Sequence, residues 1–292
     1  MKCFYHRKDH DGHSSGAMIK LAYPNCEMIG IDYGEEFPFS KIQKDETVFI
    51  VDFCIYPFSK MEELNSHCNL IWIDHHQTAI DMSLESSVKI RGLQKNRNIG
   101  ACVLVWEYLS NLNLNVSYFK NRAMPQALVY LGKYDVKDYT DFDTVYFHYG
   151  LERYNTIPSS DNMTIWKRLL LEDDPTYVKK ILEEGRLIYD YIFKTTKTIV
   201  NSLSFPINFE GLKLLCVNCT YSGSIIIDTT PGIWDMYDAV AVFTRSKDNW
   251  KISLYTDKKD IDVSIVCKKH GGGGHKGASG FVCKELPQEF LL

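Results

Sequence analysis

The sequence has no apolar run approaching the roughly 20 residues a membrane-spanning helix needs. Its opening residues, Met1-Lys2-Cys3-Phe4-Tyr5-His6, meet charge at once and show no apolar leader core. No membrane role is expected, and the cytoplasm is the expected address. An excess of positive charge is also missing: 33 Lys and Arg stand against 37 Asp and Glu, a net charge of −4. Coating long nucleic acid by counterion release needs a broad basic face, so binding to long duplexes is excluded. An anionic ligand must instead be met by local charge, such as bound cations. The nine cysteines, odd in number and without regular spacing, form no disulfide framework and read as reduced thiols. Cys216 and Cys219 stand at metal-like spacing, but no second pair follows, which argues against a structural zinc module. Internal repeats and low-complexity tracts are absent.

What is present suits packed α/β domains. At 292 residues and 45% hydrophobic content, the chain is long enough for two of them. In the first half, short apolar runs alternate with amphipathic stretches, the pattern of a mostly parallel sheet flanked by helices. Strands are predicted at Lys2-Tyr5, Met28-Ile31, Thr47-Val51 and Leu70-Ile73, with helices around Ser14-Leu21 and Ser59-Ser66. A helical block near 98–134 delivers Asp135. The stretch 144–174, rich in Tyr, Asn and Asp, has no readable motif. From Pro175 the sequence is helix-like and charged, a connector to a smaller C-terminal α/β domain. Strands are predicted there at Leu212-Val217, Ala239-Phe243, Lys251-Tyr255 and Ser279-Cys283, and a helix near Ile261-Lys269. The expected division is 1–175 for the first domain, 176–210 for a helical linker and 211–292 for the second domain.

Three of the first four strands end on chemistry-bearing residues. His6, Asp9 and Asp11 follow the first, Asp52 the third, and Asp74, His75 and His76 the fourth. Ligands of open α/β sheets bind at the carboxyl ends of the strands, so these side chains should converge on one crevice. Singly they have ordinary explanations: Asp9 or Asp11 as a helix N-cap, Asp52 as a turn residue, the histidines as core or surface residues. Jointly, imidazole and carboxylate donors without thiolate suit Mn²⁺ or Mg²⁺ better than structural zinc. Two such ions, roughly 3.5–4 Å apart, can activate water and clamp the oxygens of an in-line phosphoryl transfer. The second informative segment is Gly271-Gly272-Gly273-Gly274-His275-Lys276-Gly277. Glycines let backbone N–H groups approach an anion closely, and a plain turn needs only one or two of them.

The ordered set His6-x-x-Asp9-x-Asp11-Gly12-x-x-Ser15, Val51-Asp52, Ile73-Asp74-His75-His76-Gln77-Thr78, Asp135 and the closing GGGGHKGASGF segment spans nearly the whole chain. It resembles the DHH phosphoesterases of the RecJ-like superfamily with their DHH-associated C-terminal domain, most of all the nano-RNase and oligoribonuclease branch. The resemblance implies a metal-binding catalytic domain, a C-terminal substrate-binding domain and an active site in the cleft between them. It implies one cation on His6, Asp9 and Asp52 and a second on Asp11, Asp52, His75 and Asp135, with Asp52 bridging. His76 would touch the scissile phosphate and Asp74 would orient its neighbours, while Gly272, Gly273, Gly274 and His275 would hold the substrate's terminal phosphate or nucleotide. The implied activity is a Mn²⁺-dependent exonuclease-like phosphodiesterase that hydrolyses short oligonucleotides. Cyclic dinucleotide hydrolysis and removal of phosphate from 3′-phosphoadenosine 5′-phosphate are the alternatives, and nucleotide binding without turnover is the reading outside enzymes; homodimeric assembly stays open. Two departures matter. Relatives carry an arginine in a Ser-Leu-Arg-Ser type segment where this chain has Ser253-Leu254-Tyr255-Thr256, and a phenol cannot replace a guanidinium fork. Lys258, Lys259 and Arg245 are the candidate substitutes. Asp138 lies close enough to Asp135 to compete with it for the last acidic position.

Overall fold

The computed structural model describes residues 1–95, 98–112, 118–120, 122–159, 163–221 and 223–291. The chain divides into two compact units, 1–188 and 189–292. The first contains a five-stranded sheet in the order β2-β1-β3-β4-β5, parallel throughout. Its strands are β1 (Lys2–His6), β2 (Glu27–Ile31), β3 (Thr47–Val51), β4 (Asn69–Asp74) and β5 (Arg91–Gln94). A parallel sheet is covered on both faces, and alternate residues show it. Cys3, Tyr5, Phe49, Val51, Ile71 and Ile73 pack into one apolar cluster; Phe4, Val48, Ile50, Leu70 and Trp72 pack into the other. The first face is covered by α1 (His10–Ala22), α4 (Ala101–Asn111) and α5 (Gln126–Asp135), the second by α2 (Ser59–His67) and α3 (Gln77–Glu85). The order 2-1-3-4-5 places the topological switch between β1 and β3, where connections leave in opposite directions and a crevice opens at the carboxyl ends. His6 closes β1 and Asp52 follows β3, so both flank that switch.

The segment without a readable motif forms α6 (Asp143–Leu151) and a short α7 (Thr164–Trp166) that continues as a π-helical turn, Lys167–Glu172. Helix α8 (Pro175–Leu203) follows, and the division between the units falls inside it. Residues 205–209, placed by sequence in the helical linker, instead form β6 (Phe205–Phe209), an edge strand of the second unit's sheet.

That sheet runs β10-β11-β9-β8-β7-β6, with β7 (Leu212–Asn218) and β8 (Ala239–Ser246) parallel and the other pairs antiparallel. Strands β9 (Asn249–Tyr255), β10 (Gly273–His275) and β11 (Ala278–Cys283) complete it. One face packs on α11 (Val263–Lys269); the other packs on α9 (Gly223–Asp228) and α10 (Ile233–Met236). Among the described residues no helix is long and apolar enough to cross a membrane.

Candidate metal centre

Asp9 is the N-cap of α1: its Oδ1 accepts the Gly12 N–H at 2.8 Å, while Oδ2 stands 2.9 Å from His6 Nδ1. Capping and ligation are therefore compatible, because each oxygen does one task. A Cβ at Gly12 would sit 2.0 Å from the His6 carbonyl oxygen, so only glycine lets α1 begin this close to β1. Asp11 is buried and accepts from the N–H groups of Ala101 at 2.6 Å and Cys102 at 2.8 Å, holding its carboxylate at the N-terminus of α4. Helix N-termini favour such anions. A Cβ on Gly100 would stand 2.9 Å from Asp11 Oδ1, so the close approach of α4 depends on that glycine.

Asp52 is the centre of the arrangement. It is 1% exposed, holds a left-handed φ of 54°, and neither carboxylate oxygen has a hydrogen-bond partner. His6 Nδ1 lies 3.6 Å from it on one side and His75 Nε2 3.5 Å on the other. His75 Nε2 is also 3.2 Å from Asp135 and 4.0 Å from Asp11. Two donor triplets result, His6–Asp9–Asp52 and Asp11–His75–Asp135, each within 4.8 Å atom to atom. A buried carboxylate and two imidazole nitrogens left unpartnered fit divalent cations, since such groups are otherwise costly to bury. Asp138, by contrast, points to solvent and bonds Thr140.

A third possible grouping, Asp52 with His75 and His76, is decided by Asp74. Asp74 is fully buried, and its Oδ1 accepts from the N–H groups of His75 and His76 and from His76 Nδ1 at 2.7 Å. The His76 nitrogen that approaches Asp52, at 3.9 Å, is Nδ1, and that atom is already engaged by Asp74. With its side chain 38% exposed, His76 faces open space.

Sequence reasoning missed Asp32 and Tyr33. Asp32 follows β2 directly, the same strand-end signal that marked the other ligands, and its Oδ1 lies 3.4 Å from His6 Nε2. That contact directs His6 Nδ1 toward Asp9 and Asp52, as partners behind metal-bound histidines do. The Tyr33 ring packs against His6 and His76 at 5.5 and 6.3 Å. Beside it opens a cavity of about 470 Å³ lined by Tyr33, Phe53, Tyr56 and Lys60 among others.

The carboxylates around His6 and His75 favour the protonated form of each imidazole. Burial opposes charge on His6, yet Asp52 and Asp9 outweigh it and push its pKa up to about 11. His75, likewise buried, is raised to about 10 by Asp52, Asp11 and Asp135. Burial, then the neighbouring Asp11 charge, pushes the Asp135 carboxyl up to about 7. At pH 8 both histidines therefore carry protons that an incoming cation must displace. Cation binding is expected to release protons and to tighten as pH rises from 6 to 9. Calorimetric titration of Mn²⁺ in buffers of different ionisation enthalpy measures this; identical heats in all buffers would contradict it.

In the second unit, a cavity of about 500 Å³ is lined by Gly271 to Gly274, Lys251, Ser253, Tyr255 and residues of β11. Gly272 is forced, because a Cβ would meet the Gly280 carbonyl oxygen at 2.2 Å; at Gly273 a Cβ would meet nothing within 4 Å. Packing does not explain Gly273, whereas an open cavity does. His275 is exposed at the end of β10 and does not line this cavity. Lys251 does, two and four residues before Ser253 and Tyr255 on one face of β9, a placement that period-two alternation makes legible. Of the candidate substitutes, Lys258 is paired with Asp238 and Arg245 lies over Trp250.

No family model matches the chain. An uncharacterized protein of Acanthamoeba polyphaga mimivirus is 24% identical over 251 residues, covering 81% of this chain and 53% of that protein. The chain thus spans about half the length of this curated relative. Among solved structures, the pGpG-specific phosphodiesterase PggH of Vibrio cholerae aligns over 97% of this chain and 93% of its own, with a TM-score of 0.56 and 14% identity. The DHH domain of a member of the S1p family of ribosomal proteins aligns over 97% of this chain and 82% of its own, also at 0.56 and 14%. The chain has the DHH fold. Its parallel sheet with flanking helices and its second, mixed-sheet unit are the α/β layout of that fold.

Proposed function

We propose that this DHH-fold chain is a divalent-cation-dependent phosphodiesterase acting on short oligonucleotides, in the manner of a nano-RNase. The observation that carries the reading is the Asp52 carboxylate, buried and unpartnered where the two donor triplets meet. Cations held by His6, Asp9 and Asp52 and by Asp11, Asp52, His75 and Asp135 would supply Lewis-acid charge to phosphoryl oxygens and acidify the attacking water. Mn²⁺ suits the mixed imidazole and carboxylate set, with Mg²⁺ the harder alternative. The chain's own residues position and discriminate. Asp74 locks His76 so that Nε2 can donate to a phosphate oxygen. Burial alone would lower the His76 pKa, but its bond to Asp74 and the Asp74 and Asp52 charges raise it, favouring the donor form. The exposed rings of Tyr33 and Tyr56 beside the centre offer stacking surfaces that a nucleobase can use and an inorganic substrate cannot.

Both cavities have the size of small-ligand sites, which favours substrates of a few nucleotides. Lys251 is assigned to a nucleotide phosphate at the glycine segment. Lys251→Gln is expected to raise KM about tenfold with kcat unchanged, the signature of lost ground-state binding. Steady-state kinetics on a dinucleotide check it, and an unchanged KM would remove Lys251 from the site. The function is tested by a Mn²⁺-dependent panel of short RNA, short DNA, pGpG, cyclic dinucleotides and 3′-phosphoadenosine 5′-phosphate, with Asp52→Asn as the blank. Hydrolysis of the linear short substrates is expected. Preference for a cyclic dinucleotide or for the bisphosphorylated nucleoside would move the assignment to that reaction. Tight binding without any product would make the chain a nucleotide-binding protein.

A further inference from the structure

We propose a third cation site, separate from the two triplets, formed by His10, His148 and Glu152 and selective for Zn²⁺. His10 opens α1, and His148 and Glu152 lie four apart at the end of α6. The Glu152 Oε1 atom is 3.4 Å from His10 Nε2 and 3.8 Å from His148 Nε2, and the three donor atoms fall within 4.8 Å of one another. Ligands about 2.0–2.1 Å from a tetrahedral ion stand about 3.3 Å apart, so little movement is needed.

The hydrogen bonds behind His10 fix which of its nitrogens is available. The Arg7 carbonyl can only accept, so His13 Nε2 carries a proton and donates to it at 3.0 Å. His13 Nδ1 then accepts from the Thr156 hydroxyl at 2.8 Å. With its proton used, the Thr156 oxygen accepts from His10 Nδ1 at 3.2 Å. This turns His10 Nε2 toward the Glu152 carboxylate and leaves that nitrogen available as a ligand. His10 is 8% exposed and its Nε2 has no hydrogen-bond partner. The buried, unpartnered Nε2, the His148 Nε2 and the Glu152 carboxylate thus converge on one point where a cation can sit.

Two imidazoles and one carboxylate with a free fourth position match Zn²⁺, which such donors bind more tightly than Mn²⁺. The Glu152 side chain is 58% exposed, so an ion can enter from solvent. His148 also stacks on Tyr134 with ring centroids 3.7 Å apart, and Tyr134 precedes Asp135. An ion here ties the start of α1, which carries Asp9 and Asp11, to the helix end that carries Asp135.

The test is zinc content by mass spectrometry of the full chain after incubation with Zn²⁺ and desalting. In an Asp52→Asn/His75→Ala background, which disables both triplets, one zinc per chain is expected to remain and to disappear when Glu152→Gln is added. Glu152→Gln alone, at an exposed position, is expected to lower total divalent binding by one equivalent in the otherwise unchanged chain. Thr156→Val should weaken zinc binding by about 10–100-fold by releasing His10. Substituting Co²⁺ should give the intense visible absorption of a four-coordinate ion. Zinc content unmoved by Glu152→Gln in either background would overturn the proposal and leave His10 and Glu152 an ordinary ion pair.

Discussion

Asp52→Asn is expected to lower kcat on the order of 10³-fold or more while leaving the metal-free protein folded. Asparagine keeps the size of the side chain and tolerates the left-handed φ of 54°. What it loses is the charge that belongs to the first triplet and faces His75 of the second, so charge developing on a phosphate substrate would go uncompensated. The stability effect should run the other way. Burial, and then repulsion from Asp9, opposes ionisation of Asp52, so the neutral amide removes a strain of the metal-free state. The metal-free Tm should hold or rise, while the Mn²⁺-dependent increase in Tm expected for the unaltered chain should be absent in the variant, because that increase is binding energy. Thermal melts with and without Mn²⁺, beside single-turnover rates, separate the two effects. A variant that keeps both its Mn²⁺ shift and its rate would place the shared ligand elsewhere.

Much of the first unit was legible because its core strands are short, apolar and bounded by charge. Thr47–Val51 has the same bounds in sequence and structure, and the other three strands differ only at their ends. What escaped was polar or irregular. β5 reads Arg91-Gly-Leu-Gln94 and buries little, so no apolar run marks it. β6 alternates correctly, with Ile207 and Phe209 inward, but Pro206 argues against a strand unless the strand lies at an edge, which only the sheet order reveals. β10 is Gly-Gly-His, with no side-chain preference of its own; its strand character comes from pairing with β11. The last residues of the expected 176–210 helical linker are this β6 edge.

The candidate site divides along the same line. His6, Asp52 and the Asp74-His75-His76 run announce themselves as polar residues at the ends of apolar strands. Asp32 carries the identical signal after β2, a lone aspartate at a strand end like Asp52, and was legible by the same rule. Nothing in the local pattern marks Gly100 as the gap through which the α4 N-terminus reaches Asp11. That contact joins residues 90 apart in sequence, and no local pattern encodes it. His10 and Glu152 were invisible for a related reason: His10 hides between two stronger candidates, and its partners lie in the stretch without a motif.

The sharpest distinction within the motif is between its two adjacent histidines. His75 presents Nε2 to Asp52, Asp11 and Asp135, whereas His76 spends Nδ1 on Asp74 and has its side chain 38% exposed. His76→Ala is therefore expected to keep the full complement of Mn²⁺ and lose about 10²–10³-fold in kcat, the scale of one preorganised donor to a developing oxyanion. His75→Ala should instead lose cation binding together with rate. Asp74→Asn gives the intermediate case. Its amide can no longer accept from both backbone N–H groups and the imidazole on equal terms, so His76 loses its fixed tautomer and kcat falls with cation content preserved. Parallel measurement of bound Mn²⁺ and single-turnover rate in the three variants reads the assignment directly. Loss of an equivalent of Mn²⁺ on His76→Ala would make His76 a ligand and require its bond to Asp74 to break when the cation binds.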